Sequence, residues 1–462
     1  GTDVALLNGI MHEILKNGWE DKEYIEKRVE LDTYEEVKIT LEKYTPEYSE
    51  KITGVPAEDI RKMAKLFGKA KVGAVYFAMG ITQHITGVDN VKSIANLQLI
   101  CGNVGIVGGG INPLRGQSNV QGASDAGGLP NVYSGYRKVD DKNIHAEMSK
   151  FWDSDLSDKR GLEMTLAFDK AYDGDMKAFY IMGENPVLSD PDITHIRKAF
   201  DNLEFIVVED IFMTETAKLA DVILPASTYA EKRGTFTNTD RRVQLLNKAV
   251  NSPGDTKDDW EIHQLIANKI GLNWSYKDQE EIFNEFIKCT PQYGGMTYER
   301  LEGSGLQWPC PTKDHPGTPI LHVGEFVRGL AKMHPITYKD PAELPDEEYP
   351  IYLTTGRVLQ HFHTGAMTRK TKGLNNLSGP HVMISVEDAE NLGISNGEKI
   401  KVTTRRGSIT TIAFVTKRMP KGTASVPLHF WEAPANMLTN NALDPISKIP
   451  EFKVAACKLE KA

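Results

Sequence analysis

The sequence predicts an α/β chain: two doubly wound parallel-sheet units followed by a C-terminal β-barrel of six-stranded type. Three observations carry this. Short apolar runs alternate with amphipathic helix patterns as far as about residue 335. A stretch rich in Pro, Asp and Glu follows at 336–346. Beyond it the chain becomes short strands separated by Gly and Asn. Alternating strands and helices build parallel sheets, and evenly spaced short strands build barrels. The expected divisions are therefore 1–117, 118–335, a linker at 336–346, and 347–462.

In the first unit a helix is expected from Thr53 to Gly68. Pro56 fits its first turn, Glu58 and Asp59 suit its N-terminal dipole, and Ile60, Met63, Ala64 and Phe67 recur at helical spacing, with Gly68 as the cap. Val72 to Met79 reads as a strand ending in Gly80, with Thr82, Gln83 and His84 after it. A second helix is expected from Val88 to Cys101, with Ile94, Leu97 and Cys101 on one face. Strand, polar turn and helix is the layout in which ligands bind at the carboxyl end of a parallel sheet. The glycine-rich run 102–110 matches neither G-x-G-x-x-G nor a Walker A loop and reads as a close-approach turn.

The second unit is expected to hold strands at Ala178–Met182, Phe205–Val208 and Ala220–Pro225, with helices between them such as Ile193–Phe200. The barrel strands are expected at Ile351–Thr355, His381–Ser385, Lys399–Thr404, Ser408–Val415 and Thr423–Leu428. A helix from Ser385 to Asn391 carries a capping box, Ser385 with Asp388, and a Gly393 stop.

Composition sets bounds. A hydrophobic share of 40% and a charged share of 25% are those of a globular protein, and no apolar run reaches membrane-spanning length. A net charge of −9 argues against general nucleic-acid binding and requires a local basic pocket for any anionic ligand. The four cysteines, Cys101, Cys289, Cys310 and Cys457, are scattered with no C-x-x-C spacing, which points to buried thiols in a reducing cytoplasm and to no metal ligand within these residues. The opening Gly1-Thr2-Asp3-Val4-Ala5-Leu6-Leu7 reads like the middle of a domain.

Chemistry concentrates in polar clusters placed just after strands. These are Met79-Gly80-Ile81-Thr82-Gln83, Gly183-Glu184-Asn185-Pro186, Asp210 with Thr214, Thr237-Asn238-Thr239-Asp240-Arg241, and Asp258-Asp259-Trp260. The barrel adds Arg357 with His361-Phe362-His363, Trp431 to Asn436, and Pro450-Glu451-Phe452-Lys453. Each alone is as readily a plain turn or helix start. The run 112–125 is more pointed: Arg115 stands among Gly, Gln, Asn and Ser with few core-forming side chains. An arginine fork matches a planar carboxylate, and flanking glycine lets backbone approach a ligand.

The order of these clusters, with Arg115-Gly116-Gln117-Ser118-Asn119-Val120-Gln121-Gly122, resembles the catalytic subunit of the bis-molybdopterin guanine dinucleotide oxidoreductases over essentially the whole chain. The formate dehydrogenase branch fits best. The resemblance implies a cofactor of two pterin–guanine dinucleotides with molybdenum or tungsten, and reversible two-electron oxidation of formate to carbon dioxide. Arg115 would hold formate. Met79, Gly80, Gln83 and Gln117 would line one pterin, and Gly183, Glu184, Asn185, Asp210, Thr214, Asn238 and Asp259 would serve the dinucleotide arms. Arg357, His361, Phe362, His363, Asn436, Phe452 and Lys453 would cover the pterins from the barrel. Acidic side chains can accept from guanine N–H groups, Thr, Asn and backbone N–H can bind pyrophosphate, and Arg and Lys offset its charge.

The family's cysteine-rich iron–sulfur segment, and the Cys or selenocysteine metal ligand with its following His, are not among these residues. The resemblance places a [4Fe–4S] cluster and the rest of the catalytic subunit outside this sequence. It also implies an electron-transfer partner linked to NAD, a deazaflavin, a ferredoxin or a hydrogenase. Two rivals remain: a nitrate or arsenic-oxyanion enzyme of the same superfamily, and a non-catalytic scaffold of the same fold. The arginine context of the 112–125 run argues against the first, and the standing strand-end clusters argue against the second.

Overall fold

The computed structural model describes residues 1–462, and it separates into two units, one formed by 1–114 with 320–462 and the other by 115–319. Residues of the segment 336–346 are bonded into the first unit. Ile336 O accepts from Asn8 Nδ2 at 2.9 Å, Tyr338 N–H donates to Tyr44 Oη at 2.7 Å, and Ala342 N–H donates to Glu451 Oε2 at 2.9 Å.

In the first unit α1 (Asp3–Lys16), α2 (Ala57–Gly68) and α3 (Gly87–Ile100) bury Met11, Ile14, Ile60, Ala64, Leu97 and Ile100 in one core. The expected single start at Thr53 is corrected. Thr53 ends a separate helix, Pro46–Thr53, closed by Gly54 at φ 72°, and Pro56 is the N-cap of α2. A left-handed residue ends a helix, and glycine adopts that conformation without a Cβ penalty. Gly68 is not a cap but the last residue of α2. A Cβ there would lie 3.0 Å from Ile14 Cγ1 and 3.1 Å from Trp19 Cβ, so its glycine serves packing.

Strand β1 is shorter than expected, Val75–Phe77, because Met79–Thr82 turns into one helical turn. It pairs in parallel with β2 (Ile111–Pro113), in register Val75↔Ile111. Between them Gly102, Gly105, Gly108 and Gly110 all have positive φ. At Gly105 a Cβ would overlap the carbonyl oxygen of His322, so the close approach expected from the run is real there.

The second unit contains α4 (Val120–Asp125), then β3 (Ala178–Met182), α5 (Ile193–Asp201), β4 (Phe205–Asp210) and β5 (Val222–Pro225). The three strands form a parallel sheet in that order. Phe168, Ile196, Phe200, Ile206 and Val208 form its core. A second sheet was not expected: β6 (Gly234–Thr237), β7 (Arg242–Leu246) and β8 (Leu306–Gln307) are antiparallel. The polar cluster 237–241 is the tip of the β6–β7 hairpin, and Arg241 there takes φ 65°. Helix α6 (Asp259–Lys269) begins with a reciprocal capping box between Asp258 and Glu261.

The barrel closes in the order β9 (Ile351–Gly356), β13 (Thr423–Pro427), β10 (His381–Ile384), β12 (Ser408–Val415), β11 (Lys399–Thr403) and β14 (Ala455–Lys461). Val382, Ile384, Ile400, Val402, Ala424 and Val426 fill it. Strand β14 escaped the sequence reading because Ala-Ala-Cys carries little strand signal. Helix α7 (Val386–Leu392) starts on Ser385 and stops at Gly393, φ 65°. Its box is not reciprocal, since Asp388 accepts instead from Ser385 Oγ and from Gly422 N–H, each at 2.7 Å. No helix is long and apolar enough to cross a membrane.

Candidate functional site

Each unit carries its own set of candidate residues. In the first, Met79 and Gly80 stand exposed on the helical turn after β1, and a Cβ at Gly80 would meet open space. Gln83 ends that turn. His84 is buried, with its Nε2 2.8 Å from Gly80 O and its Nδ1 3.9 Å from a Glu451 carboxylate, so it supports the turn.

The barrel end holds a cationic cluster. Arg357 follows β9, and its guanidinium lies 3.5 Å from His363 Nδ1. Lys453 Nζ donates to Thr355 O at 2.8 Å. No carboxylate pairs with either cation. Burial lowers the Arg357 pKa, and burial together with the Arg357 charge lowers Lys453 to about 8. His361 is buried against Thr368 Oγ1 at 3.2 Å, and the Phe362 ring stands edge-on to His363. Phe452 O accepts from Thr355 Oγ1 at 2.9 Å, and Asn436 is buried in the turn 435–437.

His429 was missed by the sequence reading. It lies wholly buried, accepts at Nε2 from Val358 N–H at 3.0 Å, and donates from Nδ1 to His363 O. Burial first, then the neighbouring cations, lower it to about 4, so it is a neutral strut of the cluster. Its signal was available: it follows the end of an expected strand.

In the second unit Gly183, φ 62°, donates its N–H to Glu209 O at 2.8 Å and turns the chain after β3. Glu184 comes next, its side chain open to solvent at the rim yet crowded by surrounding chain. Desolvation raises its pKa, and the charge of Asp210 adds to that. Asp210 is raised by desolvation as well, opposed by the N–H groups of Ile211 and Phe212. Two carboxylates thus stand at the carboxyl ends of β3 and β4, and neither is paired with a cation.

The remaining candidates are engaged internally. Asn185 Oδ1 accepts from Thr216 N and Oγ1, and its Nδ2 donates to Glu215. Thr214 Oγ1 accepts from Ala217 N–H at 3.1 Å. Asn238 Oδ1 shapes the hairpin by accepting from Asp240 and Arg242 N–H. Asp259 pairs with Lys232, an ion pair that the reading of Asp259 as a plain ligand overlooked. Beside them Glu209, almost fully buried, accepts from Tyr180, and its Oε2 lies 3.3 Å from His263 Nε2. Burial opposes its charge, but the bonds from His263 and Tyr180 outweigh it and keep Glu209 ionised below the usual range.

Arg115 and Gln117 are exposed on the loop before α4. Arg115 makes no ion pair, and its backbone N–H donates to Thr239 Oγ1 at 3.3 Å. An arginine fork presented without an acid is free to take a carboxylate.

The family model for molybdopterin oxidoreductases matches residues 1–269, and that for the molydopterin dinucleotide binding domain matches 351–456. The chain belongs to the molybdopterin oxidoreductase family. Across its whole length it is 49% identical to an F420-dependent formate dehydrogenase subunit alpha of Methanocaldococcus jannaschii, covering 68% of that protein. It is 38% identical to formate dehydrogenase H of Escherichia coli, covering 65% of it. Among solved structures, acetylene hydratase from Pelobacter acetylenicus superposes with a TM-score of 0.74 at 20% identity, over all of this chain and 70% of that one, which establishes the shared fold. A molybdopterin oxidoreductase of this kind binds a molybdopterin dinucleotide through the domain that the barrel forms. The unpaired cations of the barrel suit its phosphates, and the crowded carboxylates at Glu184 and Asp210 suit N–H donors of a base. The family assignment and the donor chemistry therefore agree.

Proposed function

We propose that this chain is the catalytic part of a formate dehydrogenase alpha subunit, which oxidises formate reversibly to carbon dioxide. The observation that carries the reading is Arg115, an exposed guanidinium with no acidic partner on an anchored, glycine-flanked loop. Its fork takes both formate oxygens and fixes the direction of the C–H bond, which a point charge cannot do.

Two pterin–guanine dinucleotides with molybdenum or tungsten supply the two-electron redox chemistry when bound. Arg357 and Lys453 neutralise phosphate charge from the barrel, with His361, Phe362, His363, Asn436 and Phe452 forming the surface around them. Glu184 and Asp210 accept from guanine N–H groups. Gly183 leaves room for close backbone approach. Met79, Gly80, Gln83 and Gln117 line a pterin. Asn185, Thr214, Asn238 and Asp259 act by holding the loops that present these groups. A [4Fe–4S] cluster and an electron-transfer subunit outside this sequence take the electrons, in a cytoplasmic complex.

The test is dye chemistry on the purified complex. Formate-dependent reduction of a viologen is expected, with molybdenum or tungsten present by elemental analysis. Nitrate-dependent oxidation of the reduced dye without formate activity, or absence of both metals, would overturn the reading.

A further inference from the structure

The loop that carries Arg115 leads into α4, which is only six residues long. A helix this short has no autonomous stability and must be fixed by tertiary contacts. Apolar packing does not supply them on one face. There Asn119, Gly122, Ala123 and Ala126 border a cavity of about 340 Å³.

What fixes it is a buried carboxylate. Asp125, the last residue of α4, has no solvent exposure. It accepts from Gln121 Nε2 at 2.8 Å, Tyr136 Oη at 2.7 Å and Tyr293 Oη at 2.5 Å. A buried carboxylate without donors is costly, and three donors make its position specific. From Tyr293 the bonding continues: its hydroxyl lies 3.0 Å from Thr237 Oγ1, and Thr237 N–H donates to Asn119 Oδ1 at 2.8 Å. Asn119 is the N-cap of α4, so the circuit closes on the helix that Asp125 ends. Two residues beyond Thr237, Thr239 Oγ1 takes the Arg115 N–H. Both ends of the segment 115–119 are therefore tied to the tip of the β6–β7 hairpin. A Cβ at Gly122 would overlap Asn119 Oδ1 and come within 3.2 Å of Thr237 Oγ1, so the circuit also accounts for that glycine.

We infer that Asp125, with Tyr293 as its link to Thr237, is a positioning residue that sets the Arg115 fork for the substrate carboxylate. This rests on the proposed role of Arg115. Asp125 does not touch substrate; it acts through the loop.

The experiment is a double-mutant cycle on the purified holoenzyme complex, with Asp125→Asn and Tyr293→Phe each made alone and with Arg115→Lys. Asp125→Asn is expected to lower kcat/KM for formate about 10- to 100-fold, the scale of a lost hydrogen bond to a charged group, chiefly through KM, with metal content retained. In the Arg115→Lys background the same change should cost less than about twofold, because a misplaced fork no longer matters. Tyr293→Phe keeps the ring and should give the same pattern in milder form should Asp125→Asn fail to fold. Equal losses in both backgrounds would overturn the inference. Hydrogen exchange supplies a readout apart from activity. The Arg115 and Thr237 amides should lose protection in either variant while β3 and β4 keep theirs, and unchanged protection at both amides overturns the anchoring. Should Arg115→Lys turn over formate normally, the substrate reading fails while the exchange result still decides the anchoring.

Discussion

Two regions of this molecule crowd like charges, with opposite sign. At the ends of β3 and β4, Glu184 and Asp210 have no cation paired with them, and desolvation raises both carboxyls, with the Asp210 charge adding to the shift at Glu184. At the barrel, Arg357 and Lys453 lie together without an acid, and both are lowered. Neither arrangement serves the stability of the free protein, since desolvating charges that lack an opposite partner costs free energy in the folded state, and the like neighbour adds to that at Glu184 and Lys453. Under the proposed function the two regions have different tasks: the acidic one accepts N–H donors of a base, and the cationic one offsets phosphate charge.

The largest expected effect comes from removing the cationic end. The double substitution Arg357→Met with Lys453→Met should weaken dinucleotide retention by about 100-fold or more, from two charge-assisted contacts at about 1.5–3 kcal/mol each. Guanine nucleotide released from the denatured, gel-filtered complex measures this, and full retention would remove the phosphate role.

The next effect is a pH dependence. Lys453 titrates near 8 in the cofactor-free protein, and a bound anion favours its charged form. Affinity for guanosine diphosphate should therefore fall as pH rises above 8, by up to about tenfold per unit, and Lys453→Met should flatten the slope. Titration calorimetry at pH 7, 8 and 9 reads it.

At the acidic end the sign reverses. Because the Glu184 pKa is raised on folding, the contribution it makes to stability is complete below its ordinary 4.5 and is lost as pH rises through the raised value. Glu184→Gln should thus raise the melting temperature of the cofactor-free protein at pH 7 and leave it unchanged near pH 4. A lower melting temperature at pH 7 would show that the carboxylate already has a partner.

The smallest effect concerns His263, whose pKa is raised first by its bond to Glu209. Its stabilisation is complete below about pH 6.5 and is lost as pH rises through the raised value. His263 is partly exposed and solvent screens the pair, so His263→Gln should cost about 0.5–1 kcal/mol at pH 6 and less at pH 9. Chemical denaturation at the two pH values checks the difference.

Much of this was legible in the sequence. The barrel strands β9 to β13, the strands β3 to β5 and the Gly393 stop follow from two- and 3.6-residue periodicity and from turn chemistry. The clusters after strands were legible as clusters, but not the division of labour within them. Asn185, Thr214 and Asn238 have the same chemistry as ligands and as loop braces, and only the fold tells which donors they meet. The β6–β7–β8 sheet was hidden because β8 lies some 60 residues from its partner and is two residues long. Tyr293 was hidden for a related reason, since its partner Asp125 lies at a sequence separation of 168. The place of His429 after an expected strand was legible, but its bond to Val358, 71 residues away, was not.

In the proposed function Arg115 orients formate. The direct measurement is steady-state formate-dependent viologen reduction by the purified complex, wild type against Arg115→Lys, with metal and pterin content determined on the same samples. The expected result is a large fall in formate turnover at unchanged cofactor content, because a lysine keeps the charge and loses the fork. Wild-type turnover by a fully loaded Arg115→Lys complex would contradict it.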